Sequence, residues 1–343
     1  MIVRPAHPGD SDRIGNYVRQ HRSGSLYHLF PWIPVIERSF GHTCYYLLCE
    51  GERGEIGGIL PLVHIKSRLF GNLLASMPYF NYGGVCADNE ANRDLLLREA
   101  VRLAGDLGAG HIELRQDFPL NNGYPAKQTK VSMRLPLSGA AEELWRSFPS
   151  KLRSQIRRAE KEGMVARIGT FEELDNFYKV FSINMRDLGT PVHRREFFNN
   201  ILKYFSESAR ICNIYFEGKP VASGFLAGAK GMLEIPWASS IRKYNPLSPN
   251  MLLYWTCLSF ACEQGYSVFD FGRSTAGEST FRFKEQWGAR PVPLYWHYWL
   301  GQSGEMPEIN PRNPRYRLAI EVWKRIPVPL TRLLGPPLVK NIP

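Results

Sequence analysis

The sequence predicts an α/β (α+β) protein built from two tandem copies of one module, each a mixed, mostly antiparallel sheet flanked by helices. Three observations carry that expectation. Residues 43–65 (TCYYLLCEGERGEIGGILPLVHI) and 209–229 (ARICNIYFEGKPVASGFLAGA) each read as two β-prone runs about a Glu-Gly turn, Glu50-Gly51 and Glu217-Gly218. Each later reaches a helix followed by a strand, LLLREAVRLAGDLGAGHIELR in the first half and LLYWTCLSFACEQGYSVFDFG in the second. Within these, Ala104, Gly108, Ile112 and Glu113 are matched by Ala261, Gly265, Phe269 and Asp270, every pair 157 positions apart. Gly108 and Gly265 fall where a helix needs a left-handed terminating residue.

The 343 residues suit two domains of ordinary size, and 44% hydrophobic with 22% charged residues is a globular composition. A net charge of +11 favours anionic partners: phosphates, nucleic acid or an acidic membrane surface. The six cysteines contain no C-x-x-C pair, and most lie in apolar runs such as TCYYLLCE and WTCLSFACE. They read as small buried hydrophobes in a reducing, cytoplasmic setting. MIVRPAHPGDSDR has no apolar signal region, and no run approaches transmembrane length.

The first domain is expected over 1–137, ending in the strand VSMRLPL and a break at Ser138-Gly139. The second, 138–300, opens with the helices AEELWRSFP and KLRSQIRRAEKEG. In the latter Leu152, Ile156 and Ala159 share one face, and cations including Arg157 take the rest. FEELDNFYKVF and REFFNNILKYF read as amphipathic helices and MLEIPWASSI as a strand. NPLSPNMLLYWTCLSFACE opens a nearly all-apolar helix, with Ser248 as N-cap and Pro249 as first helical residue. Such a helix must be buried against a sheet.

Two loops carry chemistry-bearing residues. Met77–Gly84 (MPYFNYGG) sets Tyr79, Asn81 and Tyr82 among paired glycines, which suits either contact with a sugar or a packed turn. Tyr244 to Asn250 precedes the apolar helix, whose first N–H groups could meet an anion. The eight histidines show no metal-ligand spacing, and no G-x-S-x-G elbow or Walker loop is present, so neither a metal nor a covalent nucleophile is indicated.

The segment 268–288, VFDFGRSTAGESTFRFKEQWG, is the most informative. Asp270-Phe271-Gly272 followed by Phe283-Lys284-Glu285-Gln286-Trp287-Gly288 resembles the FemAB family of aminoacyl and acyl transferases, which has D-F-G-G and then F-K-x-x-[FW]-G. Arg273 stands where the family has its second glycine. Leu114-Arg115-Gln116-Asp117-Phe118-Pro119 is similar to the family's L-R-x-D-P with one added residue. Arg153 to Gly163 matches its R-x-x-[IT]-[RK]-x-A-x-x-x-G, and Trp32 matches an early tryptophan. The resemblance spans roughly residues 1–300.

That resemblance implies two GNAT-like domains around a cleft and transfer of an acyl or aminoacyl group. Lys284 would bind substrate phosphate or the developing oxyanion, and Asp117 would act as base or positioning group. Phe283, Arg273, Arg282, Arg157, Trp32, Tyr79, Asn81, Tyr82, Tyr244 and Asn250 would line substrate. The donor would be aminoacyl-tRNA or acyl-CoA, with nucleic acid a partner only in the first case. The acceptor would be an amine- or hydroxyl-bearing glycan or peptide of the cell envelope. The overall look is closest to members accompanying exopolysaccharide and exosortase (PEP-CTERM) systems. The glycine signature of acetyl-CoA-dependent GNAT enzymes is absent. An acetyl-CoA N-acetyltransferase and a non-catalytic anion- or membrane-binding protein are the alternatives. The tail, 301–343, carries seven cations from Arg312 to Lys340, and from residue 311 onward Glu321 alone opposes them. It reads as short basic amphipathic elements that either dock on the protein's own domains or make a peripheral contact at the inner membrane face.

Overall fold

The two hairpins read from the sequence are the centres of two separate sheets. The structure, a computed structural model, describes residues 1–67, 71–301, 304–307 and 314–342, of which 314–317 are described as backbone only. The chain forms two units, residues 1–131 with 292–308 and 340–343, and residues 132–291 with 309–339.

The first unit contains β1 (Ile2–Pro5), α1 (Ser11–Gln20), α2 (Trp32–Phe40), β2 (Thr43–Glu50), β3 (Ile56–Ser67), β4 (Gly71–Ala75), β5 (Cys86–Ala87), α3 (Glu90–Asp106), β6 (His111–Gln116), β7 (Ala126–Lys127) and β15 (Tyr295–Leu300). Its sheet runs β1-β2-β3-β4-β6-β15-β7, with β5 on β3. Strand alternation makes the two faces. Leu47 and Cys49 of β2 face α3 with Leu96, Ala100 and Ala104, while Tyr46 and Leu48 face Ile14 and Val18 of α1. The connection after Glu50 is a five-residue loop, longer than the two-residue turn the sequence indicated.

The second unit contains β8 (Val131–Pro136), α4 (Ala141–Ser147), α5 (Ser150–Lys161), β9 (Val165–Gly169), α6 (Leu174–Leu188), α7 (Arg195–Tyr204), β10 (Ala209–Phe216), β11 (Lys219–Ala229), β12 (Met232–Ser240), α8 (Pro249–Glu263), β13 (Val268–Ser274), α9 (Ser279–Glu285), β14 (Arg290–Pro293), α10 (Pro314–Trp323) and α11 (Val328–Val339). Its sheet runs β14-β8-β13-β12-β11-β10-β9. Glu217 and Gly218 have φ of 49° and 72°, the two left-handed residues a tight hairpin needs. Phe177, Phe181, Phe198, Phe225 and Trp237 form an aromatic core in which Phe177 stacks on Phe181 and most other pairs meet edge-to-face. Leu152, Ile156 and Ala159 are buried, as the helical spacing requires.

Gly108 and Gly265 adopt φ of 62° and 75°, closing α3 and α8 as expected. Three expectations are corrected. The strand assigned to the end of the first domain, β8, lies in the second sheet, and β15, assigned to the second domain, lies in the first. The tail is not a separate region, since α10 and α11 belong to the second unit. Ser248 precedes α8 at φ 62° with no side-chain capping bond. Among the described residues no disulfide joins the six cysteines, none groups with others as a metal site, and no helix is long and apolar enough to cross a membrane.

Candidate functional site

In the second unit, β12 and β13 run parallel, and the recorded pairing covers Met232↔Val268, Leu233↔Phe269 and Glu234↔Asp270. Asp270 is wholly buried. Its carboxylate accepts from the Ser132 hydroxyl (2.6 Å), the Gly272 amide (2.7 Å) and Arg134 Nε (3.2 Å). Bending back to Asp270 gives Gly272 a φ of 75°, which a side chain would resist. The bend turns two successive carbonyls, Gly272 and Arg273, toward one point.

Lys284 occupies that point. Its Nζ donates to both carbonyls, each at 2.9 Å, and the residue is 7% exposed. The element that delivers it, α9, has only seven residues and is held by aromatic packing. Phe283 lies 5.1 Å from Tyr254, and Trp287, four positions on, packs near Tyr254 and Phe271. Gly277 and Gly288, both at positive φ, bracket the helix. Burial pulls the Lys284 ammonium down to about 8, with Asp270 and Glu234 opposing that pull and Arg273 adding to it. An ammonium has three N–H donors, and the carbonyls take two. The third has no partner among the described residues. The Ser274 hydroxyl, buried at the end of β13, also lacks one.

The first unit repeats this arrangement with a different outcome. There β4 and β6 pair over Leu73↔His111, Leu74↔Ile112 and Ala75↔Glu113, again ending at a buried acid. The residue two beyond it is Arg115, 157 positions before Gly272. Arg115 closes its own site, with Nε 2.7 Å from Glu113, Nη1 2.7 Å from the Phe80 carbonyl, and the guanidinium 4.3 Å from the Trp296 ring. Tyr298 donates to the other Glu113 oxygen at 2.8 Å. Burial alone would raise the Glu113 carboxyl. The Arg115 charge and the bonds from Tyr298 and Arg115 hold it below its usual range.

Residues 146–285, which include α5, α8, β13 and Lys284, match the family described as acetyltransferase (GNAT) domain. Among solved structures, FemX is similar over 86% of this chain and 97% of its own, at 16% identity and a TM-score of 0.69. A tandem GNAT protein from the clavulanic acid biosynthesis pathway covers 89% of this chain and 99% of itself at 10% identity, TM-score 0.54. The fold is a tandem GNAT fold, FemX-like. The structure of L-PGS from Bacillus licheniformis shares it over 97% of this chain and 98% of its own, at 14% identity and TM-score 0.56. In sequence, the lipid II:glycine glycyltransferase of Staphylococcus haemolyticus is 24% identical over 60% of this chain and 54% of its own length. The match thus spans about half of that relative. The expectation of an acyltransferase agrees with a glycyltransferase relative and with the acetyltransferase family match.

Of the residues named from sequence, the second GNAT unit holds Lys284, Phe283 and the Arg273 carbonyl together. The Arg273 and Arg282 side chains are exposed. Arg157, also exposed, lies 5.4 Å over Trp145. Tyr244 meets Phe216 edge-on at 6.0 Å, and the Asn250 side-chain oxygen Oδ1 is buried without a partner in the first turn of α8. No described contact joins these last three to Lys284.

In the first GNAT unit Asp117 is half-buried just beyond β6. Trp32 is 2% exposed, donates to the Leu26 carbonyl at 2.9 Å and packs on Phe80, so it serves the core. Tyr82 is likewise buried. Tyr79, at φ 75°, stacks on Phe40 and donates to the Lys340 carbonyl at 2.8 Å, while Asn81 is half-buried. Sequence reading missed the roles of Glu113, Arg115, Tyr298 and the Gly272 carbonyl. The 157-residue offset marked Glu113 and Asp270 as equivalent, and extending it two positions would have exposed the Arg115–Gly272 contrast.

Proposed function

We propose that this chain is an acyltransferase that moves an aminoacyl or acyl group from an anionic activated donor to the amine or hydroxyl of a cell-envelope precursor. The observation that carries the reading is the buried Lys284 ammonium, fixed by two carbonyls and left with one N–H uncommitted. Attack of an amine on an ester or thioester carbonyl puts negative charge on oxygen. A fixed cation in a partly dry site stabilises that charge with no reorganisation at the moment of reaction. The same N–H would suit a substrate phosphate oxygen. Asp117 is the proposed acceptor of the proton the attacking ammonium sheds.

The glycyltransferase relative supports transfer of an aminoacyl group and the GNAT-domain match transfer of an acyl group, for which aminoacyl-tRNA and acyl-CoA are the proposed donors. The finer assignment, an enzyme of an exopolysaccharide system of the exosortase type, is supported by the overall resemblance of the sequence. Six cysteines without a disulfide among the described residues support action in the cytoplasm.

The test is transfer of labelled aminoacyl or acyl groups by the full chain and by Lys284→Gln. Loss of one oxyanion-stabilising donor costs about 10²–10³ in turnover, so a fall of that size with donor binding retained is the expected result. An unchanged rate overturns the reading. Because Lys284 works as the protonated form, wild-type turnover declines as pH rises through about 8. A rate that instead increases through that pH assigns the lysine as a base.

A further inference from the structure

Eleven large hydrophobic side chains are exposed among the described residues, and six of them belong to α10 and α11: Leu318, Val322, Leu330, Leu333, Leu334 and Leu338. Both helices are seated firmly on the second unit. Gly189, ending α6, lies so close to Ile320 that a Cβ there would come within 2.5 Å of its methyl, and a Cβ on Gly335 would sit 2.7 Å from the Val192 amide. The Arg332 guanidinium lies 5.2 Å from the Tyr178 ring. Thr331, Gly335 and Val339 form the inward side of α11.

The outward side is therefore set by packing, and its composition is inverted. Leu330, Leu333, Leu334 and Leu338 recur at i, i+3, i+4 and i+8, one helical arc. Every residue of α11 classed as exposed is leucine or proline. A helix that turns leucines to water across its solvent face marks a surface that is covered in use.

We propose that α10 and α11 form a docking face for a bilayer containing acidic phospholipid. Charge selects this occupant. The connection between the helices carries Lys324 and the exposed Arg325, and the segment from residue 311 has seven Arg or Lys against Glu321, which pairs with Lys324 at 2.7 Å. Arg312, Arg315 and Arg317 lie outside the residues whose side chains are described. Leucines flanked by cations match the two layers of a membrane surface, acyl boundary and phosphate. A second copy of a chain with net charge +11 would bring cations to cations.

The experiment is co-sedimentation of the full chain with vesicles of phosphatidylglycerol and phosphatidylcholine, against vesicles of phosphatidylcholine alone. Leu333→Gln/Leu334→Gln is the variant, and both positions are exposed enough to leave the melting temperature unchanged, which is checked. Expected are binding to the acidic vesicles only, weakening by about tenfold in the variant and by high salt. No binding to acidic vesicles, or binding that the variant leaves intact, overturns the proposal. So does a wild-type dimer in sedimentation velocity that the variant converts to monomer. No acyl transfer enters the assay, so its failure is separate from failure of the catalytic reading.

Discussion

Arg115 and Gly272 occupy equivalent positions in the two units, two residues beyond a buried acid, yet they leave opposite sites behind. Arg115 fills the space and neutralises Glu113. Glycine supplies no cation, and its carbonyl instead receives one from Lys284. A cation locked to a buried carboxylate has no charge to spare, whereas Lys284 retains a donor. Arg115→Met leaves Glu113 buried with no cation and is expected to cost about 3–5 kcal/mol in denaturant unfolding. Adding Glu113→Gln recovers part of that loss. The Glu113 carboxyl is held below its unfolded value of 4.5. Its contribution is therefore full above that pH and is lost as pH falls through the folded value. Melting temperature against pH loses part of its acid limb in the double variant. An identical limb would remove Glu113 from the acid response.

Among the elements, the paired strands, the glycine stops of α3 and α8 and the buried helix α8 were legible because local pattern decides them: alternation, a left-handed glycine, an apolar run. The short helix α9 was not. Seven residues are too few to be helical alone, and the segment forms because Phe283 and Trp287 find Tyr254 and Phe271. Lys284 was visible as a motif, while its two carbonyl partners were not, since they depend on the turn at Gly272. Gly272→Ala tests that turn. The nearest atom to an added Cβ is the Ile235 carbonyl oxygen at 3.7 Å, so the cost is backbone strain and not collision. Destabilisation of about 1–2 kcal/mol is expected from chemical denaturation. A loss well above that would point to a rearranged β13.

For the whole molecule, the units are not consecutive stretches of chain. β15 pairs along all six residues of β6 and also with β7, and Tyr298 within it closes the Glu113 site. A fragment of residues 1–137, the first domain as sequence would cut it, is expected to show no cooperative thermal transition by circular dichroism. A sharp two-state melt of that fragment would make β15 dispensable.

By itself the sequence determined that a sheet-and-helix module occurs twice, where α3 and α8 stop, and which lysine lies in the informative motif. Those features are set by hydrophobic period and backbone preference within a dozen residues. Only the tertiary structure decided which sheet takes β8 and β15, that one copy buries its own cation while the other borrows one, and that the tail turns leucines outward. Partners distant in sequence set all three, and no local pattern records which distant partner a strand or side chain will meet.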